Sequence, residues 1–114
     1  MKQVEKFVSL ELATKLKALG VPQKSERYWA FLHDLHDWFI GIGDRVVGEH
    51  CSAFSTDELG YFLPFETRIE KLHANDLYGD WWRLIYKGER IEGETEADAR
   101  AKMLIYLLED DLLP

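Results

Sequence analysis

The histidines and the single cysteine are the side chains with which this chain could do chemistry. His33 and His36 lie in the segment HDLHD, and His50 precedes Cys51 in the segment GEHC. Together with Asp44, the pair His50–Cys51 has the residue types of a base, a nucleophile and an orienting group. Adjacent side chains seldom point the same way, however, so the sequence predicts a buried or incidental thiol rather than a catalytic one.

A metal site would need three or four of these side chains at one point. Their spacing matches no zinc pattern, since His33 and His36 are separated from His50 and Cys51 by a second apolar segment. Neither a helix nor a hairpin over residues 28–40 would force the two pairs together. We therefore expect no metal, no cofactor and no catalytic residue, and an enzyme is the less favoured class.

An acidic run lies near the N-terminus of the last predicted helix and is the other group that could bind a cation. Its carboxylates belong to Glu92, Glu94, Glu96 and Asp98. Carboxylates at the N-terminus of a helix interact favourably with the helix dipole. This structural role is a sufficient explanation of the run.

Composition limits the class of protein. The 114 residues suit a single domain, and an apolar content of 46% is enough for a hydrophobic core. The formal net charge of −7 disfavours binding to nucleic acid by charge alone, without excluding a local basic patch. The single cysteine indicates a reducing compartment, and the first residues show no apolar signal segment, so we expect a cytoplasmic protein without a membrane span.

The most informative stretch is the last one, residues 93–113. Thr95 can cap a helix, with Asp98 three residues further on. Apolar residues then recur at steps of three and four, at Ala97, Ala101, Leu104, Leu108 and Leu112, and Met103, Ile105 and Leu107 widen the stripe. A stripe this wide predicts cover on more than one side, or a partner chain.

The first half of the chain predicts a helix followed by two strands. Leu12, Leu16 and Leu19 share a helical face, and Gly20 and then Pro22 would end that helix. Residues 27–32 and 38–42 are rich in aromatic and β-branched side chains and predict a hairpin. The alternative is a single helix over residues 28–40, because Leu32, Leu35 and Phe39 would share a helical face.

The second half predicts a helix, two or three strands and the final helix. Ser55 and Glu58 form a capping box for a helix that ends before Pro64. Residues 69–72 and 80–86 predict strands, residues 74–76 a turn, and Ile91 a further short strand. The expected fold is a single α+β domain over residues 1–114, with two layers, an antiparallel sheet of about four strands, and three helices in the order α-β-β-α-β-β-α.

Four tryptophans form the candidate interaction surface. Only one face of a sheet can meet the helices, and neighbouring aromatic residues in a strand point to opposite faces. Some large rings should therefore lie on the open face, where they could contact a protein or stack on bases. The alternative is a second layer or ordinary partial exposure. The residues of this surface are Trp29, Trp38, Trp81 and Trp82.

Three segments resemble a family of small, uncharacterised bacterial proteins associated with phages and prophages. They are SLELATKLKALGVPQ at residues 9–23, STDELGYFLP at residues 55–64, and TEADARAKMLIYLLE at residues 95–109. The resemblance implies a phage-associated setting and supplies no activity.

The segment IEGETEADA, residues 91–99, is similar to the strand–turn–helix junction of HicB-like antitoxins. Asp98 stands where that pattern has glutamate, and the predicted helix over residues 55–63 departs from the arrangement. The resemblance implies a fold relationship and a regulator linked to nucleic acid.

Three functions follow as hypotheses. The favoured one is a small acidic, non-enzymatic protein-interaction module of phage or prophage origin, which self-associates or binds another protein. The first alternative is a HicB-antitoxin-like regulator. The second is a small metal-dependent hydrolase or nuclease that uses the histidines and acids.

Overall fold

The computed structural model describes residues 6–32, 34–42, 50–73 and 80–112. Within these ranges the helices are α1 (Leu10–Ala18), α2 (Thr56–Phe62) and α3 (Glu96–Glu109). The strands are β1 (Arg27–Leu32), β2 (Asp37–Ile42), β3 (His50–Ser52), β4 (Arg68–His73), β5 (Asp80–Tyr86) and β6 (Glu89–Gly93). No helix in the described ranges combines the length and the apolar character needed to cross a membrane.

The α+β class is confirmed, and the order of elements agrees with the predicted one once the short strands β3 and β6 are included. The sheet differs from the prediction. In the described part of the chain, six strands form two separate antiparallel sheets, in the orders β2-β1-β3 and β4-β5-β6. The expectation of one sheet of about four strands is therefore corrected, and a two-layer arrangement stays a prediction.

Helix α3 is covered on two sides, which explains its wide apolar stripe. One side packs in a core with residues of α1, α2 and β3, and contributes Ala97, Ala101, Leu104 and Ile105. The other side packs on β5 and contributes Ala99, Met103 and Leu107. Most of the stripe is thus buried within the chain, so it is no longer a reason to expect a partner chain. Leu112, predicted to continue the stripe, instead follows the end of α3 and is exposed.

Helix caps join the elements that surround α3. The Ser55 hydroxyl accepts a hydrogen bond from the Glu58 N–H (3.2 Å) and the Glu58 carboxylate accepts one from the Ser55 N–H (2.9 Å), which confirms the predicted capping box. The Thr95 hydroxyl accepts from the Asp98 N–H at 3.1 Å. The Asp98 carboxylate in turn accepts from the Ser9 N–H at 2.8 Å, so it connects the beginnings of α1 and α3.

The β1–β2 hairpin is confirmed, and the alternative helix over residues 28–40 is wrong. β1 and β2 pair along their whole length, from Arg27 opposite Ile42 to Leu32 opposite Asp37. The connecting turn contains a hydrogen bond from the Leu35 N–H to the Leu32 carbonyl (3.1 Å), and His36 adopts a φ of 51°. Aromatic and β-branched side chains favour this pleated surface over a helix.

The β4–β5–β6 sheet turns one face to α3. Trp82, Leu84 and Tyr86 point to the helix, and Leu84 and Tyr86 are buried. Gly93 in β6 lies so close to α3 that a Cβ there would come within 2.7 Å of the Ala99 nitrogen. The glycine therefore permits close packing of the helix on the sheet. The turn predicted at residues 74–76 lies outside the described residues.

Candidate functional site

Exposed apolar side chains are concentrated in two places. Among the described residues, all but one of the large hydrophobic side chains that are clearly exposed fall in these two groups. The first group is on the hairpin arm, which we define as residues 31–32 and 34–42, and consists of Leu32, Leu35, Phe39 and Ile42. The second consists of Tyr61, Phe65 and Ile69. Patches of this kind mark interaction sites more often than single exposed residues do.

Two of the four predicted tryptophans belong to the cores. Trp29 packs against the cluster around α1 and α3, and its indole N–H donates to the Val8 carbonyl at 2.9 Å. Trp82 packs against the cluster between β5 and α3, with the Lys71 ammonium 5.5 Å from its ring centroid. These contacts give both side chains a structural role.

The other two tryptophans lie on different sheets. Trp38 is on β2, where its ring packs at a tilt against Phe31 with centroids 5.6 Å apart. Trp81 is on β5 and, as the neighbour of Trp82, points to the opposite face of that sheet. The structure therefore does not bring the four indoles to one face. A surface built on all four together stays a prediction, and Trp38 is the member that lies on the hairpin arm.

The hairpin arm is apolar on both faces. Residues directly opposite each other share a face, so Phe31, Trp38 and Ile40 lie on the same side as Trp29. Leu32 and Phe39 lie on the other side. A strand that is apolar on both faces is typical of the interior of a sheet with both faces covered. Yet β2 is an outer strand that, in the described part of the chain, pairs with β1 alone.

The second surface is a cleft of about 350 Å³ between α2, the segment before β4, and the second turn of α3. We call it the Arg100 cleft. Its floor includes Leu63, Ile69 and Leu84. Tyr61 and Phe65 also line it, and both residues are almost fully exposed.

Arg100 is held firmly at this cleft. Its Nη1 donates to the Thr56 carbonyl at 3.1 Å and its Nη2 lies 3.0 Å from a Glu96 carboxylate oxygen. A Cβ at position 60 would overlap the Arg100 Nη1, so Gly60 gives the guanidinium its room. The Arg100 Nε and the Thr67 hydroxyl are both buried and have no hydrogen-bond partner within the described residues.

The residues proposed for nucleophilic chemistry do not meet. Cys51 is buried in the core, with 2% of its surface exposed. His50 precedes it in β3, points to the other face of the sheet, and packs edge-on against the Tyr28 ring at 5.6 Å. His36 lies in the hairpin turn. His33 and Asp44 lie outside the described residues.

Three of the four carboxylates in the acidic run at the start of α3 have structural partners. Glu92 pairs with Arg83 at 3.0 Å, Glu96 with Arg100 at 3.0 Å, and Asp98 accepts from the Ser9 N–H. A search of the described residues finds no group of three or more histidine, cysteine or acidic side chains placed to hold a metal ion.

The Arg100 cleft was not foreseen from the sequence. Its residues come from α2, the segment between α2 and β4, β4 itself, β5 and α3, and Gly60 and Arg100 are 40 positions apart. A local signal does exist, because Phe65 follows Pro64 and lies outside the apolar face that Leu59, Phe62 and Leu63 give to α2. An aromatic residue outside a predicted core face is a candidate for exposure.

Comparison with known proteins identifies no relative of this chain. No protein-family model, no curated protein and no solved structure matches the chain. The resemblances to a phage-associated family and to HicB-like antitoxins therefore stay predictions.

Proposed function

We propose that this protein is a non-enzymatic protein-interaction module that forms a dimer through the outer edge of β2. One observation carries the proposal: a strand with large apolar side chains on both faces lies at the edge of its sheet. Trp38 and Ile40 are on one face and Phe39 is on the other, with Phe39 42% exposed. Pairing with another strand would bond the outer backbone groups of β2 and cover the outer flanks of these side chains.

The chemistry of the edge also favours pairing. Soluble proteins protect outer strands with lysine, proline, bulges or inward-pointing charges. β2 reads DWFIGI and has a single charge, at its first residue. β4 is an outer strand of the other sheet and reads RIEKLH, with Arg68, Glu70 and Lys71 along it. The β4 edge thus has the usual protection, which β2 lacks.

A second copy of the chain fits this edge in antiparallel orientation. A register centred on Phe39 places Phe39 opposite Phe39, Trp38 opposite Ile40, and Asp37 opposite Gly41. Pairs of aromatic and β-branched residues across strands are favourable. The two Asp37 carboxylates then lie at opposite ends of the joint, whereas a parallel arrangement would place them side by side.

The net charge predicts how association depends on salt. Each chain carries a formal charge of −7, so two copies repel each other at low ionic strength. Salt screens that repulsion and leaves the apolar contact largely unaffected. Association through β2 should therefore strengthen as salt concentration rises.

The test is the solution mass by light scattering, over a range of protein and salt concentrations. We expect the unaltered chain to reach the mass of a dimer. Phe39→Lys introduces an edge lysine and should give a monomer. Ile69→Lys is the matched control, because Ile69 is 40% exposed on the other outer strand, and it should leave the dimer intact.

Two results would contradict the proposal. One is an unaltered chain that stays monomeric at every concentration and salt tested. The other is a dimer that Ile69→Lys disrupts as much as Phe39→Lys does, which would place the contact elsewhere or reveal general destabilisation.

The proposal includes a cytoplasmic location and a phage or prophage setting. The support for the location is that the chain has a single cysteine, Cys51, which is buried. The support for the setting is the resemblance of the three sequence segments. The dimer requires neither the location nor the setting, so the experiment on β2 tests neither of them.

A regulator linked to nucleic acid is less well supported. The open face of the β4–β5–β6 sheet carries Arg68, Arg83 and Arg90, but Arg83 already pairs with Glu92 and lies 3.8 Å from Glu70. Binding to phosphates would have to overcome both these carboxylates and the net charge of −7. A hydrolase is also less well supported, because Cys51 and His50 face opposite sides of their sheet.

A further inference from the structure

The hydrogen bonds around β1 show which backbone groups of β2 face away from the sheet. On the β3 side, the Ala53 N–H donates to the Arg27 carbonyl at 2.9 Å. The Ser52 N–H instead donates to the Gln23 Oε1 at 2.7 Å, so Tyr28, which lies opposite Ser52, does not bond β3 there. Because the backbone groups of successive strand residues point to alternate sides, the odd-numbered residues of β1 bond β3 and the even-numbered ones bond β2.

The same alternation fixes the outer edge of β2. Phe39 lies opposite Ala30, an even-numbered residue of β1, and therefore bonds β1. The residues of β2 whose N–H and carbonyl groups point away from β1 are Trp38, Ile40 and Ile42. A partner strand that adds to β2 has to form its hydrogen bonds with these three residues.

One of these outward groups already has a hydrogen-bond partner. The Trp38 N–H donates to the Asp37 Oδ1 at 2.8 Å. Asp37 is the only charged residue of β2, and it is exposed. A hydrogen bond to a carboxylate is stronger than one between neutral groups. The Asp37 carboxylate therefore competes with any carbonyl that a partner strand would offer to the Trp38 N–H.

We infer that Asp37 limits the strength of the β2 dimer by holding the Trp38 N–H. This role rests on the proposed function, because it concerns the affinity of that dimer. In the register centred on Phe39, the Trp38 N–H donates to the Ile40 carbonyl of the second copy, so each chain gives up its bond to Asp37 when the dimer forms. The released carboxylates can be hydrated because Asp37 is exposed. The exchange therefore weakens the dimer without preventing it.

The test measures the dissociation constant of the dimer by light scattering at a single pH and salt concentration. We expect Asp37→Ala to lower this constant about 3- to 30-fold further than Glu66→Ala, because two charge-assisted hydrogen bonds no longer have to break. Glu66→Ala is the matched control, since it removes the same charge from an exposed residue between α2 and β4. Asp37→Asn keeps an acceptor oxygen without the charge and should give an intermediate value.

A second measurement follows the Trp38 amide directly. Phe39→Lys should give a monomer, and amide hydrogen exchange is compared in that variant with and without Asp37→Ala. The Trp38 amide should exchange faster once Asp37 is replaced, because it loses its hydrogen-bond acceptor. The Gly41 amide lies opposite Tyr28 and bonds β1, so its exchange should stay the same.

Three results would overturn this role for Asp37. In the first, the unaltered chain dimerises and Phe39→Lys is monomeric, but the Asp37→Ala dimer is no tighter than the Glu66→Ala dimer; the proposed function would then stand without it. In the second, exchange of the Trp38 amide is unchanged by Asp37→Ala. In the third, neither the unaltered chain nor Asp37→Ala dimerises at any concentration tested, and the proposed function is then wrong as well.

Discussion

In the described part of the chain, the two sheets of this protein have the same number of strands and the same antiparallel pairing. They differ in how much of their surface other parts of the chain cover. In the β4–β5–β6 sheet, α3 packs on one face, Arg83 bridges Glu70 and Glu92 on the other, and the outer strand β4 is charged. In the β2–β1–β3 sheet, Trp29 and Cys51 reach the core, while the hairpin arm keeps apolar side chains exposed on both faces.

This difference shows that aromatic content alone does not identify a core. Both sheets contain two tryptophans, and the strands read RYWAFL and DWFIGI in one and DWWRLIY in the other. The rings that pack in the core with α3 stabilise the fold. The apolar residues that α3 and its core do not reach are the ones available for a partner.

The largest expected effect comes from α3, because it contributes to both cores. Leu104 is 1% exposed and lies in the core formed with α1 and α2. Leu104→Asp would bury a carboxylate without a partner, which should cost several kcal/mol and unfold the domain. Circular dichroism and thermal unfolding would measure the loss of both helix and sheet.

Leu112→Asp is the matched control for that experiment. Leu112 follows the same helix and is 45% exposed, so the identical change there should leave the melting temperature nearly unchanged. A folded Leu104→Asp variant with the melting temperature of the unaltered chain would show that α3 is peripheral. It would also remove the basis for the comparison of the two sheets.

A smaller effect on stability is expected when a glycine of each sheet is replaced by alanine. Gly93→Ala in β6 places a methyl group within 2.7 Å of the Ala99 nitrogen, so α3 must shift. We expect a loss of about 1–3 kcal/mol in the free energy of unfolding, the usual cost of overpacking. Denaturant unfolding monitored by tryptophan fluorescence would measure it.

Gly41→Ala in β2 is the corresponding change on the uncovered sheet. A Cβ there meets nothing within 4 Å among the described residues. Alanine also loses less conformational freedom on folding than glycine, so this variant should be neutral or slightly more stable. Equal destabilisation by the two changes would show that the sheets are packed alike.

Much of the fold follows from local signals in the sequence. The Ser55–Glu58 capping box, the end of α1 at Gly20, which has a φ of 89°, and the hairpin of β1 and β2 are each determined by neighbouring residues. The width of the α3 stripe correctly predicted cover on more than one side. The cap, the end of the helix and the hairpin depend on interactions within a few positions of the chain, whereas the elements that cover the stripe are distant in sequence.

The division into two sheets could not be predicted in the same way. The six strands of the described residues form short antiparallel pairs, and no local signal says whether β1 and β5 join one sheet or two. The Arg100 cleft has the same difficulty, because Arg100 meets Gly60 and Thr56 only once α2 packs against α3. Tertiary contacts of this kind leave no periodic pattern in the sequence.

The smallest expected effect tests the open face of the covered sheet. Arg83 lies 3.0 Å from Glu92 and 3.8 Å from Glu70, and all three side chains are partly exposed. Exposed ion pairs contribute little, so Arg83→Met should lower the free energy of unfolding by about 1 kcal/mol at most at low salt. The loss should shrink in about 1 M salt, where such charges are screened.

Arg90→Met removes the same charge from the same face of the neighbouring strand β6, where Arg90 is exposed. Both variants therefore have the same net charge, and any difference between them reports the contacts of Arg83. Urea unfolding of the two variants at low and high salt would make the comparison. If Arg83→Met lowers the free energy of unfolding no more than Arg90→Met does at low salt, the ion pairs of Arg83 across β4, β5 and β6 do not stabilise the sheet. The packing of α3 would then be the one feature that distinguishes this sheet from the hairpin arm.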